Sequence, residues 1–369
     1  MNKKILIIIN NLGVGGAERL VVDDVKEMLR IGVDVTLVTL RPEPQKSFAR
    51  ELSLGGDNFK CISFYNLFDV SSWFKLVRFI RKSKSNLVIT HLWFANTIGR
   101  IAAAFAGAKN IISFEQNVYD TVKTRKMFFI DWCLQFFSTK IIAVSEAVKK
   151  SLIRHGIQKN RIEIIRNSVD LSKFSSTHNR SALRTELGIP EDTFLYVFIG
   201  RLIHQKAVDV LIKAFKNLNL ADPNTNLLIV GQGKDRGGLE DLVRENGLDD
   251  RVVFAGVRND IPQILFSSDC FILPSRHEGL PLVLAEALAS GAAIIVSDFE
   301  AAGELITHEK NGLIVPREDV PALAEAMGRI KTDTNLRTRL AMEAKKSAES
   351  LSISNHVGAI LGFLKPHDL

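Results

Sequence analysis

The sequence predicts two doubly wound α/β domains in tandem, and three observations carry that expectation. Short β-rich apolar runs alternate with amphipathic helical stretches, as in a parallel sheet covered on both faces. The alternation breaks once, over residues 167–184 (NSVDLSKFSSTHNRSALR), a polar stretch rich in Ser and Asn as a linker is, and then resumes. The chain has 369 residues, 46% hydrophobic and 24% charged, enough for two domains that each bury a core.

In the first half the apolar β-rich runs Lys4–Ile9, Val33–Leu40, Leu87–Thr90, Asn110–Phe114 and Ile141–Val144 are expected as strands. The amphipathic stretches Gly16–Arg30, Trp73–Lys84 and Asn96–Phe105 are expected as the helices between them. In the second half the strands are Phe194–Ile199, Asn226–Val230, Val252–Phe254, Cys270–Leu273 and Ala293–Ser297, with helices near 207–218, 236–246, 281–290 and 320–330. The expected boundaries are 1–175 and 176–351, with a C-terminal helix of about 352–369 packing back on the first domain. Ligands of such sheets bind beyond the carboxyl ends of the strands, so the expected site is the cleft between the two domains.

The net charge of +7 is unevenly spread. Residues 1–178 hold 27 Lys and Arg against 15 Asp and Glu, together with all three Trp and 14 of the 22 Phe; residues 179–369 hold 21 against 26. A basic, aromatic half points to an anionic partner, but no recognition motif supports nucleic acid. Cys61, Cys133 and Cys270 are too few and too far apart for a disulfide framework or a structural zinc site. The apolar run Ile5–Ile9 is too short for a signal-peptide core, and Leu280–Val296 is interrupted by Pro281, Glu286, Ser290 and Gly291. The expected protein is cytoplasmic.

Three constellations carry chemistry. Asn11-Leu-Gly13-Val-Gly15-Gly16-Ala-Glu18 joins a strand to a helix, and glycines there let backbone amides approach a phosphate. It is not a dinucleotide fingerprint: the third glycine position is Glu18, and the second strand ends at Thr39-Leu40-Arg41 with no acid for a ribose. Next, Gly200-Arg201-Leu-Ile-His-Gln-Lys206 places two cations at a strand's carboxyl end, where they suit a diphosphate; taken alone they read equally as solvated surface cations. Third, in Pro274–Ala287, Glu278 lies in a loop and Glu286 on the following helix, in a segment apolar enough to bury it partly. A carboxylate in that setting needs a partner, and ribose hydroxyls suit it as well as a local Arg does.

With these motifs the chain resembles the family-four retaining glycosyltransferases of the GT-B fold, two Rossmann-like domains facing across a cleft. The matching residues are Gly15–Glu18; His91, Ala95, Asn96, Gly99 and Arg100; Asn167-Ser168-Val169-Asp170; Arg201 and Lys206; Gly231 and Gly233; the pair Glu278 and Glu286; Gly303-Glu304 and Asn311-Gly312. The resemblance implies a nucleotide sugar, a UDP-sugar by expectation, as donor. Arg201 and Lys206 would hold its diphosphate, Glu286 its ribose, and Glu278 with Gly279 and Leu280 the transferred sugar. Gly15 and Gly16 would approach the phosphates, and backbone at Val257 and Arg258 the base. His91, Asn96, Gln116 and Asn117 would face a saccharide or polyprenyl-linked acceptor. Catalysis would rest on Arg201, Lys206 and Glu278, with retention, no cofactor and no metal, and no Asp-x-Asp occurs in the sequence. The product would be a cell-surface polysaccharide or glycolipid. The alternatives are an epimerase of the same fold, which needs no acceptor, and a non-catalytic sugar-binding protein.

Three positions depart from the family's pattern. Gln116 stands where a His is common, so a base is either not needed or supplied by His91 or His277. Ala207 and Ser168 each stand where the family has Gly. Two basic, aromatic segments are expected to lie on an anionic membrane surface, making the protein peripheral at the inner face of the cytoplasmic membrane. One is Trp73–Lys84, with an apolar stripe at 73, 76, 77 and 80; the other is Val118–Phe137, with Lys123, Arg125 and Lys126 beside its aromatics. The competing reading is that the stripe simply covers the sheet.

Overall fold

The computed structural model describes residues 3–66, 68–118, 123–175 and 179–364. The chain divides into two compact units, Met1–Ser168 with Ser352–Leu369, and Val169–Leu351. The division falls a few residues before the expected 175/176.

The first unit runs β1 (Lys4–Ile9), α1 (Gly16–Arg30), β2 (Asp34–Thr39), β3 (Phe59–Cys61), α2 (Val70–Ser83), β4 (Leu87–His91), α3 (Trp93–Phe105), β5 (Ile111–Glu115), α4 (Arg125–Leu134), β6 (Lys140–Ala143), α5 (Glu146–Arg154) and β7 (Ile162–Ile164). Its seven parallel strands lie in the order β3-β2-β1-β4-β5-β6-β7. Alternation along the strands decides which helix covers which face. Leu37, Ile7, Ile89 and Ile112 stand in one row across β2, β1, β4 and β5 and pack with Val21, Val25 and Met28 of α1. Their neighbours Leu6, Ile8, Val38 and Val88 point the other way, onto Leu76 and Ile80 of α2 and Ile98 and Ala102 of α3. Such strands, buried on both faces, read as continuous apolar runs.

The second unit runs α6 (Arg180–Glu186), β8 (Phe194–Ile199), α7 (Val208–Ala221), β9 (Thr225–Val230), α8 (Arg236–Glu245), β10 (Val252–Gly256), α9 (Ile261–Ser267), β11 (Cys270–Leu273), α10 (Leu282–Ser290), β12 (Ala293–Ser297), α11 (Ala302–Leu305), β13 (Leu313–Val315), α12 (Val320–Thr332) and α13 (Thr334–Ala348). Its six parallel strands are ordered β10-β9-β8-β11-β12-β13. The last helix, α14 (Ile353–Leu361), returns to the first unit. Val357 and Ile360 enter the core beside α1, the Ser354 hydroxyl donates to Glu27 at 2.7 Å, and His356 lies 3.4 Å from Asp24. Residues 365–369 of the expected helix lie outside the described ones.

The polar stretch 167–184 is not all linker. Its last five residues open α6, capped by the Asn179 side chain, which accepts from Ala182 N at 3.0 Å. Arg184 is fully buried there, and its guanidinium donates to the Pro190, Thr193 and Ser267 carbonyls and to Asp269. Asp269 also receives Arg180 and the Leu195 amide. Polarity in the sequence marks here a buried, fully paired charge cluster rather than solvation. No helix among the described residues is long and apolar enough to cross a membrane.

Candidate functional site

Both sheets reverse their strand order once, between β1 and β4 and between β8 and β11. Loops leaving the carboxyl ends of strands at such a reversal part company and open a crevice. The sequence motifs fall there: the glycine loop follows β1, His91–Asn96 follows β4, Arg201–Lys206 follows β8, and Pro274–Leu280 follows β11. The four helices entered from these strands, α1, α3, α7 and α10, have no side-chain N-cap, a property shared by α8, α9 and α11. The amides of an uncapped first turn keep their hydrogens for an anion.

In the second unit the loops are locked together. Gly200 N donates to Val230 O at 2.9 Å, Leu202 N to Gln232 O at 3.0 Å, and Gly231 N to Gly256 O at 2.7 Å. A Cβ at Gly231 would collide with the Gly200 carbonyl, and one at Gly233 with the Leu202 carbonyl, so the Gly-Gln-Gly motif is a requirement of backbone packing. Lys206, read alone as a solvated cation, is buried, and its Nζ lies 2.5 Å from Glu278 Oε1. The Ser275 hydroxyl donates to the same oxygen at 2.7 Å, and Ser297 Oγ fixes the Ser275 carbonyl at 2.5 Å. Arg201 is exposed and makes no ion pair or side-chain hydrogen bond among the described residues. Gly279 and Leu280 are buried beside the start of α10, and Glu286 is half-buried, four residues or about 6 Å along that helix. Val257 is half-buried in the turn after β10, and Arg258 beside it forks Asp260 (2.8 and 2.6 Å) and Glu186 (2.5 Å).

Sequence reasoning missed Arg276. Its amide donates to Gln205 O at 2.8 Å, and its guanidinium bonds the His204 carbonyl, Asp209 (3.2 and 3.1 Å) and Glu318. Gln205 Nε2 donates back to His277 O at 2.8 Å. The loop bearing Lys206 and the loop bearing Glu278 are thus clamped by Arg276 and Gln205 on one side of the Lys206–Glu278 pair. The sequence signal was an arginine between the strand and Glu278, indistinguishable there from a surface cation.

In the first unit Gly15 caps α1 in extended backbone and Gly16 opens it, exposed. Glu43 holds the loop: its carboxylate accepts from Leu12 N (3.2 and 3.0 Å) and from Ser47 Oγ (2.5 Å). His91 is buried and stacked on Phe114, centroids 4.6 Å apart, and Nδ1 has no partner among the described residues. Burial, helped by the charge of His356, pushes His91 down to about 3. An imidazole so depressed is a weak base near neutrality. Leu92, which follows, holds φ at +70°, a strained value for leucine at the turn into α3.

Asn96 is wholly buried and donates to Phe114 O (2.9 Å) and Glu115 (3.1 Å). Arg100 bonds Asp131 at 2.8 Å, and Lys123 bridges Asp131 (2.7 Å) and Glu115 (3.1 Å). This buried set of two cations and two anions sits directly behind half-buried Gln116 and Asn117. Much of the 91–100 motif is therefore architectural: Gly99 lets α3 lie on the sheet, since a Cβ would meet Thr90 Cγ2 at 2.6 Å. Asn311 likewise braces a loop, bonding Thr307 N, Leu305 O and Ser347.

The segments expected on a membrane are corrected in part. The α2 stripe is core: Leu76 and Ile80 are buried, with Trp73 and Val77 packed against them. Lys123 is spent on the buried network, and 119–122 lie outside the described residues. Phe129, Trp132, Phe136 and Phe137 do reach solvent, 65, 44, 54 and 43% exposed.

Residues 14–173 match the family model described as Glycosyltransferase Family 4, and residues 179–347 match Glycosyl transferases group 1. A relative from Escherichia coli, UDP-Gal:alpha-D-GlcNAc-diphosphoundecaprenol alpha-1,3-galactosyltransferase, is 30% identical over 275 residues, covering 72% of this chain and 71% of that protein. The chain belongs to glycosyltransferase family 4. The lipopolysaccharide core biosynthesis glycosyltransferase LpsD of Rhizobium meliloti is 38% identical over 157 residues, 42% of this glycosyltransferase and 45% of LpsD. The fold is GT-B. The crystal structure of Anabaena Alr3699/HepE with UDP and glucose superposes with a TM-score of 0.88 at 21% identity, covering 98% of this chain and 99% of that one.

Proposed function

We propose that this glycosyltransferase moves a sugar, with retention of anomeric configuration and without a metal, from a UDP-sugar to a lipid-linked saccharide in the making of a cell-surface polysaccharide or glycolipid. The observation that carries the reading is the second unit's reversal point, where Lys206, Glu278 and unpaired Arg201 stand between two uncapped helices, α7 and α10. A leaving diphosphate develops charge as the sugar departs. Preorganised cations and helix amides stabilise that charge, each such group contributing about 10²–10³ in rate. Arg201 and Lys206 take the diphosphate, Glu286 the ribose, and Glu278, Gly279 and Leu280 the sugar. Val257 and Arg258 present backbone to the base. Gly15 and Gly16 approach the phosphates, and Gln116 and Asn117 the acceptor, with His91 and Asn96 packed beneath them. The acceptor oxygen bonds the anomeric carbon on the face the diphosphate leaves, and its proton passes to the leaving phosphate oxygen. His91, a weak base, and the amide Gln116 compete little for that proton.

The UDP and lipid-linked choices are supported by the relative's stated substrates and by the UDP of the superposed structure. Contact with an anionic membrane is supported by the exposed aromatics of residues 129–137 beside exposed Arg125 and Lys126. The test is a panel of UDP-sugars scored first by thermal stabilisation, then by turnover with saccharide acceptors in EDTA. A product whose anomeric proton shows inversion, or activity abolished by EDTA, overturns the mechanism. Conversion of the donor with no acceptor present overturns transfer itself.

A further inference from the structure

Beside the edge strand β3 the surface of the first unit folds into a groove of about 870 Å³, lined among others by Lys60, Tyr65, Phe68, Lys75, Arg78 and Lys82. Lys75, Arg78 and Lys82 recur at i, i+3 and i+7 and so share one face of α2. The opposite face is anchored by Leu76 and Ile80, which holds the three cations outward over the groove. None of the four cations makes an ion pair or side-chain hydrogen bond among the described residues, although Arg19, Lys26, Lys140 and Arg317 elsewhere all have carboxylate partners. Among the described groove residues the carboxylate is Asp69, which caps α2 through Ser72 N (3.1 Å) and Ser72 Oγ (2.8 Å) and offsets only part of the charge of neighbouring Lys75. Four like charges around a concavity repel one another until an anion enters it.

We propose that this groove binds a phosphate ester, and that during transfer it holds the phosphate of the acceptor. Lys75 and Lys82 are about 10 Å apart along the helix axis, room for one diphosphate between them. Planar Arg78 suits a phosphate oxygen pair, and Tyr65 and Phe68, 92 and 89% exposed, offer apolar faces to whatever the phosphate carries. The strand order puts β3 three strands from β4 and four from β5, about 14 and 19 Å away. Because α2 runs from the carboxyl ends of the strands toward their amino ends, Arg78 and Lys82, eight and twelve residues along it, lie about 12 and 18 Å further from the strand ends bearing His91 and Gln116, the span of a saccharide of several units between phosphate and reacting hydroxyl. The assignment to the acceptor rests on the transferase reading; phosphate binding by the groove does not.

The experiment titrates inorganic pyrophosphate into the full chain with the donor site saturated by UDP, for the wild type and for the double variant Arg78→Glu, Lys82→Glu. Binding that weakens at least tenfold in the variant, with UDP thermal stabilisation unchanged, supports the groove; equal binding by both overturns it. Kinetics with one saccharide, bearing or lacking a terminal phosphate, assigns the source. In the wild type the phosphate lowers KM at least tenfold, and in the variant that ratio collapses while kcat holds. Loss of flotation with phosphatidylglycerol vesicles, with the KM ratio intact, overturns the acceptor assignment and makes bilayer headgroups the phosphate source. A wild type that turns over neither saccharide defeats the transferase reading, and the pyrophosphate titration still decides the groove.

Discussion

The two reversal points use their motif residues in opposite ways. In the second unit the motif side chains stand at the strand ends: Lys206 and Glu278 pair with each other, Arg201 makes no ion pair among the described residues, and glycines press the loops together. In the first unit the motif side chains point inward: His91, Asn96 and Arg100 are buried, and Gly99 fits a helix to a sheet. On the proposed roles, a nucleotide diphosphate presents the same charges in every donor, so its cations can be written into a motif, whereas an acceptor varies, so what recurs on its side is the frame behind the loops.

The sharpest break of this contrast is at Lys206 and Glu286. Glu286→Ala is expected to cut kcat/KM by 10² or more with little change in melting temperature, because that side chain is only half-buried. Lys206→Ala is expected to cut turnover by 10²–10³ and also to destabilise by about 3–5 kcal/mol, since it strands the buried Glu278 carboxylate. Adding Glu278→Gln is expected to restore most of the stability and none of the turnover. A double mutant as unstable as the single one, or as active as the wild type, breaks the account.

On the first unit's side, Asp131→Asn leaves Arg100 and Lys123 buried with one carboxylate between them. Urea unfolding is expected to show a loss of about 3–5 kcal/mol, with UDP-induced stabilisation intact. A donor-binding defect without loss of stability would place this network at the site instead of behind it.

Protonation pulls in two directions within the first unit. The folded value of His91, about 3, lies below its ordinary 6.5, so between these two values the unfolded chain holds the extra proton. Stability is then full above pH 6.5 and falls with acidity by up to about 1.4 kcal/mol per pH unit. His356 runs the other way: paired with Asp24 and bonded to the Arg166 carbonyl, it is held above 6.5, and its contribution fades as pH rises. His91→Phe is expected to flatten the acid limb of a plot of stability against pH. An unchanged slope sinks the assignment.

The alternating pattern made both sheets legible, because strands buried on both faces must read as apolar runs. Short edge strands were not legible: β3, β7 and β13 are three residues each, too short for a periodicity. Helix α6 was hidden because it buries a single leucine, Leu183, and beside it an arginine, Arg184, which hydropathy scores as surface. At the site, residue types and spacing named Arg201, Lys206, Glu278 and Glu286, but whether Lys206 was solvated or paired lay in a contact 72 residues away along the chain. Arg276 was invisible for the same reason: its partners are distant along the chain, Asp209 in the first turn of α7 and Glu318 in the turn before α12. The α2 stripe read equally as membrane face or core, since both demand the same amphipathic spacing, and the packing of Leu76 and Ile80 decided it.

The smallest effect distinguishes the two departures from glycine. Ser168 does not adopt positive φ, so it makes no use of a glycine's freedom and its substitution is a matter of packing. Ala207 holds φ at +51° between Lys206 and the first turn of α7. A left-handed residue with a Cβ costs about 1–2 kcal/mol relative to glycine, offset in part by the larger entropy a glycine loses on folding. Ala207→Gly is therefore expected to stabilise the chain by about 0.5–1 kcal/mol in thermal or urea unfolding, and Ser168→Gly to destabilise it or leave it unchanged. The strain at Ala207 adjoins Lys206, the proposed diphosphate cation, which makes the pair of measurements informative beyond stability. If Ala207→Gly stabilises but lowers kcat, the strained turn is part of what holds Lys206 against Glu278; if kcat is kept, the strain is only a cost the second unit tolerates.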